Sequence, residues 1–378
     1  MLAHFFWRQP YYQGRPLSAW VADIESQSPT ARQKAIEAIN AIGPQAVPYL
    51  SQTITKTSGP LQAAIDVLSA HTPPRLKAFG RRFYRPGDTM MKKHAAACAF
   101  MALGTNGGSG APALSRLLRN PSSLLSGIAG NAMAQIGPAS VPFLIEALDD
   151  QDYTIRSSAC NGLGKLGTNA APAVPRLANI VEAETGPITT SASFALYQIG
   201  PPAVPRLVAM LASTNRNVRR MAAYALTSPQ GASTAPPSAL IAAARDPDDH
   251  VRWNAAAALS QVIDPPPEVE RALLEALSDR NPNVRSTAAS TFGYRYRFVQ
   301  RHLPEFISLL QDDSPEVRSK AAFALGQAGY RATNAVPPLT GLLADTNRTV
   351  SAAAAEALRE ITNSAPPHPV VPRRAAMN

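Results

Sequence analysis

The chain has 378 residues, 45% of them hydrophobic and 16% charged, which is too much apolar material and too little charge for a disordered polymer. With 36 Lys and Arg against 26 Asp and Glu, the formal charge is +10 and the pI about 9.8, a balance that favours nucleic acid, an anionic membrane surface or an acidic protein as partner. Two cysteines exclude a disulfide framework, and no apolar run approaches the length of a membrane-spanning helix.

Residues 1–15 are read as an N-terminal arm that opens "MLAHFFWRQP". Its AHFFW patch is too short to be the apolar core of a signal peptide. As written, this predicts a cytoplasmic protein. With an upstream segment, AHFFW would be the stub of an anchor and the protein membrane-anchored or exported.

From residue 16 to 363 the sequence predicts one periodic array. One anchor is an aliphatic residue, then Arg, then small residues, as in "VRSKAAFALGQAG" from Val317 and "VRWNAAAALSQV" from Val251. It recurs at Ala31, Leu61, Ala95, Leu125, Ile155, Ile188, Val218, Val251, Val284, Val317 and Val350, in steps of 30 to 34 residues. The second anchor is Val-Pro-x-Leu, at 47–50, 141–144, 174–177 and 204–207. Links such as "IGPASVP" close short repeats, and "LGTNAAPAVP" closes long ones. The repeat at 61–94 is irregular: "RLKAFGRRF" is read as its Pro-bearing helix, and "YRPGDTMMKKH" as a gained segment in which Asp88 caps the next helix. Residues 364–378 are read as a disordered Pro/Arg tail.

Each repeat reads as two helices. The Arg-bearing helix is apolar or small at anchor positions 1, 5, 6, 8, 9 and 12, a helical spacing. Its alanines allow close approach, and a Leu column (Leu163, Leu196, Leu226, Leu259, Leu325) supplies buried mass. Gly137, Gly167, Gly200 and Gly329 are expected to end this helix as left-handed C-caps, with Pro opening the next. Acidic turns such as "DDQD" and "DDSP" cap the helix after that.

The segments "DDSPEVRSKAAFALGQAG", "DPDDHVRWNAAAAL" and "DDQDYTIRSSACNGLGKLG" resemble the HEAT repeats, in particular the short bacterial subclass shared with phycobilin-lyase-like proteins. The opening "YYQGRPLSAWVADI" resembles the N-terminal segment of a bacterial group of such proteins. The fold class this implies is an all-α solenoid, a right-handed superhelix of about ten to eleven helix pairs. The resemblance also implies that the Arg column (Arg32, Arg156, Arg219, Arg252, Arg285, Arg318) pairs with turn aspartates (Asp149, Asp150, Asp246, Asp279, Asp312). Those arginines therefore add nothing to an affinity for nucleic acid.

No catalytic set assembles. "GLGKLG" at 162–167 matches G-x-G-x-x-G but ends a helix where a dinucleotide site must open one. "NGGSG" at 106–110 is an inter-helix loop and not a nucleophile elbow. The six histidines fall in different repeats with no Cys or carboxylate at ligand spacing, so neither metal nor cofactor is expected. Cys98 and Cys160 are read as separate buried thiols.

In such arrays the Arg-bearing helix lines the concave side. Its exposed columns then form a candidate groove of Asn131, Asn161, Lys165, Phe194, Arg220, Tyr224, Trp253, Tyr294 and Phe323, rich in residue types that dominate binding energy. A secondary basic edge is expected at Arg81, Arg82, Arg85, Lys92 and Lys93, with Arg295 and Arg297 from "YRYRFVQRH". The expected function is a non-enzymatic scaffold for a protein or peptide of acidic character, with its oligomeric state open. Nucleic-acid binding, as in HEAT-like DNA glycosylases, is the alternative, and a tetrapyrrole lyase or chaperone-lyase is a third reading from resemblance alone.

Overall fold

The computed structural model describes residues 9–56, 88–262, 264–293 and 295–364. Arg81, Arg82, Arg85 and Tyr294, most of the irregular repeat and the tail from residue 365 lie outside them. Contacts divide the chain into two compact units, Met1–Ala209 and Met210–Asn378. Within each, helix pairs stack in the sequence order of their repeats, giving the expected all-α solenoid.

The first unit opens with a two-stranded hairpin, β1 (Tyr11–Tyr12) and β2 (Arg15–Pro16), pairing Tyr11 with Pro16 and Tyr12 with Arg15. Gln13 and Gly14 carry φ of 49° and 73°, the double positive φ that a tight two-residue hairpin needs. The hairpin straddles the boundary expected at residue 15. It sits on α1 (Leu17–Asp23), where Trp20 donates its indole N–H to the Tyr12 carbonyl at 3.3 Å and Arg15 lies 4.0 Å over the Trp20 ring.

The regular stack follows: α2 (Pro29–Ile42), α3 (Val47–Thr55), α4 (Asp88–Leu103), α5 (Ala111–Leu118), α6 (Ser123–Gln135), α7 (Val141–Ala147), α8 (Tyr153–Leu166), α9 (Val174–Ala183), α10 (Pro187–Ile199) and α11 (Val204–Met210). The second unit holds α12 (Arg216–Ala225), α13 (Pro229–Thr234), α14 (Pro237–Ala243), α15 (Asp249–Ser260), α16 (Pro267–Ala276), α17 (Pro282–Gly293), α18 (Tyr296–Arg301), α19 (Leu303–Ser308), α20 (Pro315–Gln327), α21 (Val336–Leu342) and α22 (Arg348–Asn363).

The core is the Leu and Ala columns of the Arg-bearing helices. Leu163, Leu196, Leu226, Leu259 and Leu325 are buried, as are the alanine pairs Ala222/Ala223, Ala255/Ala256 and Ala321/Ala322. Close approach is tightest where glycine replaces alanine. A Cβ on Gly130 would lie 2.8 Å from the Ser158 carbonyl oxygen, and one on Gly326 would lie 2.9 Å from the Ala357 Cα. Neighbouring Arg-bearing helices thus touch backbone to backbone at these points.

The C-caps differ from expectation in kind. Gly137, Gly167 and Gly200 have φ of 84°, 57° and 73° with ψ of −154°, −134° and −131°. That is not the left-handed helical region but a neighbouring one essentially restricted to glycine. The strongly negative ψ turns the chain out of the helix into a short 3-10 turn, and a Val-Pro pair then opens the next helix.

The acidic turns act as expected. Asp152 accepts from Thr154 N at 2.7 Å, and Asp248 accepts from His250 N and Val251 N. Two positions before the N-cap, Asp246, Asp279, Asp312 and Asp345 each accept the backbone N–H of the residue two on.

Candidate functional site

The Arg column is a rung ladder in the second unit. Arg219, Arg252, Arg285 and Arg318 each grip an aspartate 27 residues on, namely Asp246, Asp279, Asp312 and Asp345, with two N–H···O bonds of 2.7–3.1 Å. The third guanidinium nitrogen donates to turn carbonyls of the arginine's own repeat, such as Asp246 O and Pro247 O for Arg252. Each rung thus ties two acidic turns together. Hydrogen bonding to its aspartate raises the pKa of Arg219, Arg252 and Arg285, so these charges are fixed and spent on the fold.

In the first unit the ladder is broken. Position 183 is Ala, and Arg156 reaches the acid one place later, Glu184, with a single 2.6 Å bond. Its Nε is buried without a partner. Asp149 is taken from the Pro-bearing side by Arg176, and Asp150 lies 3.7 Å from Arg119.

The candidate groove residues fall in both units. In the first, Lys165 donates to Asn131 Oδ1 at 2.6 Å, and Asn161 is exposed. Phe194 is 42% exposed and stacked on Tyr197, with centroids 5.9 Å apart. In the second, Arg220 is met by Asp248 through two bonds of 2.6 and 2.8 Å, so its charge is neutralised locally. The same contact, reinforced by backbone N–H donors, holds the Asp248 carboxyl at about 2. Tyr224 and Trp253 are 37% and 40% exposed, and the Trp253 indole donates to Thr287 Oγ1 at 3.0 Å. Phe323 is half-buried against Gly293, where any side chain would meet its ring.

Lys92 is exposed and Lys93 half-buried on α4. Arg295 and Arg297, expected on one edge, line different clefts. Arg297 lies near the Tyr296 ring in a cleft completed by Gln300, Arg301, Tyr330 and Arg331. Arg295 folds inward. Its Nη2 donates to Val262 O at 2.8 Å and Ser260 O at 3.3 Å, while Nη1 is shielded from solvent without a partner. Burial lowers its pKa against the pull of Glu270 and Asp264. Arg295 lines a cleft of about 500 Å³ with Lys320, Glu316, Ser260, Gln261 and the hydroxyls of Ser286, Thr287, Ser290 and Thr291. This polar cleft adjoins Trp253 through Thr287. Its sequence signal was present in "RSTAASTFG", which puts four hydroxyls where the preceding repeat carries Trp253, Asn254, Ala257 and Ala258.

One expectation is corrected. A histidine does have ligand-type neighbours: His94 and Cys98 lie one turn apart on α4, and the turn after α1 brings in Glu25. The i, i+4 pair was legible in "HAAAC"; the carboxylate, 69 residues away, was not.

Among the solved structures, the karyopherin Kap121p bound to the extreme C-terminus of the protein phosphatase Cdc14p superposes with a TM-score of 0.57 at 16% identity over 93% of this chain. Kap121p bound to Pho4p gives the same values, and Kap121p bound to Nup53p gives 0.56. The chain spans 42% of the length of these Kap121p chains, and at this identity the likeness shows the fold alone. No curated protein matches. A family model described as HEAT repeats matches residues 110–197, 237–297 and 303–371, without distinguishing the short bacterial subclass. With more than half of its length so matched, the chain belongs to the HEAT-repeat family.

Proposed function

We propose that the chain is a non-enzymatic scaffold that binds a protein or peptide of acidic character on its Arg-bearing face. The observation that carries this reading is the cleft beside Trp253. A buried guanidinium N–H without an acceptor is costly, and a carboxylate entering the cleft would supply one. Lys320 adds a second cation and the Thr287 and Ser290 hydroxyls add donors, those of Ser286 and Thr291 already donating to Asn283 O and Thr287 O, while Glu316 limits the net charge and selects a side chain of modest charge. The half-exposed Trp253 ring supplies the apolar anchor that a polar cleft lacks. Kap121p, of like fold, is bound to the extreme C-terminus of Cdc14p in one solved complex and to Pho4p in another, which supports a protein partner here.

Selection of a displayed random peptide library on the full-length protein tests this. Asp- or Glu-bearing peptides should be enriched. Their Kd should rise about tenfold or more, at least 1.4 kcal/mol, in Trp253→Ala and in Lys320→Glu. Enrichment without acidic bias, or affinity unchanged in both variants, would refute the reading.

A second reading rests on the other cleft, where Arg297, Arg301 and Arg331 alternate with Tyr296 and Tyr330. Cations interleaved with aromatic faces suit single-stranded nucleic acid. A steep salt dependence of oligonucleotide binding, lost in Arg297→Ala/Arg331→Ala, would favour it.

A further inference from the structure

We propose that Glu25, His94 and Cys98 form a binding site for a borderline divalent metal ion of the Zn²⁺ class, which clamps the turn after α1 to α4. The three side chains arrive from two places. His94 and Cys98 stand one turn apart on the same face of α4, and Glu25 lies in the turn joining α1 to α2. One ligand atom from each lies within 4.8 Å of the other two. The Cys98 Sγ to His94 Nδ1 separation is 3.8 Å. Metal–sulfur and metal–nitrogen bonds of about 2.3 and 2.0–2.1 Å at the tetrahedral angle place those atoms about 3.5 Å apart. The Cys–His edge is therefore nearly preformed. Glu25 Oε1 already touches His94 Nδ1 and must swing outward to share an ion with it.

The donor set selects the metal. Sulfur and imidazole nitrogen disfavour Mg²⁺ and Ca²⁺, which take oxygen, and favour Zn²⁺ and its neighbours. Three protein ligands leave a fourth position for water. All three side chains are half-buried, dry enough to strengthen coordination and open enough for an ion to enter.

Metal binding would displace the Cys98 proton to solvent and neutralise the Glu25 charge. The ion would join residues 69 positions apart, closing a long loop that includes the irregular repeat.

The test uses the full-length protein, stripped with a chelator and titrated with Co²⁺. The expected result is one Co²⁺ per chain, a near-ultraviolet thiolate-to-cobalt charge-transfer band, and displacement by Zn²⁺. Cys98→Ser should abolish the band, and His94→Ala should weaken Co²⁺ binding about tenfold or more. Cys160→Ser should leave both unchanged. Absence of the band in the wild-type protein, or its survival in Cys98→Ser, would overturn the proposal. Cys98→Ala matches the flanking alanines, so unchanged far-ultraviolet circular dichroism with a lost band isolates metal binding from folding. If that variant unfolds, Glu25→Gln decides: weaker Co²⁺ binding upholds the site, and unchanged affinity refutes it.

Discussion

Asp279→Ala removes the acceptor that takes Nε and Nη2 of Arg252 at 2.7 and 2.9 Å. The two side chains are only 8% and 11% exposed, so the stranded guanidinium cannot rehydrate. Removing one partner of a buried pair costs about 3–5 kcal/mol. Two features of the site adjust that range. Arg252 keeps the carbonyls of Asp246 and Pro247 at 3.0 and 3.2 Å, which lowers the cost. Asp279 also accepts the Asn281 N–H at 2.8 Å, and losing that turn bond restores about 1 kcal/mol. The expected destabilisation is about 3–4 kcal/mol. Arg245–Glu275 provides the control: it also links neighbouring repeats, 30 residues apart, but is 56% and 49% exposed. Glu275→Ala should cost less than about 1 kcal/mol. Urea unfolding measures the difference, with hydrogen exchange of residues 249–312 as a local readout, because repeat arrays can unfold in parts. If the two substitutions differ by less than about 0.5 kcal/mol, the ladder does not hold the repeats together and the reasoning fails.

Asp248 is held at about 2, below its usual 3.8, by the Arg220 hydrogen bonds. A depressed carboxylate contributes stability in full above its unfolded value and loses it as pH falls through the folded one, so acid should destabilise the α12–α15 contact between about pH 4 and 2. Asp248→Asn should flatten that part of a circular dichroism pH titration. Gly200→Ala, at φ 73° and ψ −131°, should cost about 1–3 kcal/mol, whereas Gly127→Ala, inside α6 with open space around it, should stabilise by about 0.5–1 kcal/mol. Thermal unfolding of the two variants should therefore shift in opposite directions. Leu259→Ala, fully buried, should cost about 2–5 kcal/mol and raise exchange mainly in its own and adjacent repeats; uniform loss of protection would contradict a repeat-by-repeat core.

The helix pairs, their Leu and Ala columns and the Asp turns were legible because each repeat writes the same instruction at the same spacing. The ladder was legible for the same reason, and its break at Arg156 follows from one displaced acid, Glu184 in place of position 183. The glycine caps were found, but not their ψ, which is set by the chain turning into the next Val-Pro pair. Arg220 read as a groove cation because its sequence position faces outward; its partner Asp248 comes from the next repeat. The inward fold of Arg295 and the meeting of Glu25 with His94 and Cys98 depend on contacts between repeats that no local pattern encodes.

The most direct test of the central claim follows Trp253 as partner reports on the Arg-bearing face. In full-length protein carrying Trp7→Phe and Trp20→Phe, Trp253 is the sole indole, since the chain has three tryptophans. Titration with the best acidic peptide from the displayed library should change its fluorescence saturably, and Lys320→Glu should raise the midpoint about tenfold. A peptide that binds with the same affinity while leaving Trp253 emission untouched, or one indifferent to Lys320→Glu, would place the partner elsewhere and contradict the account.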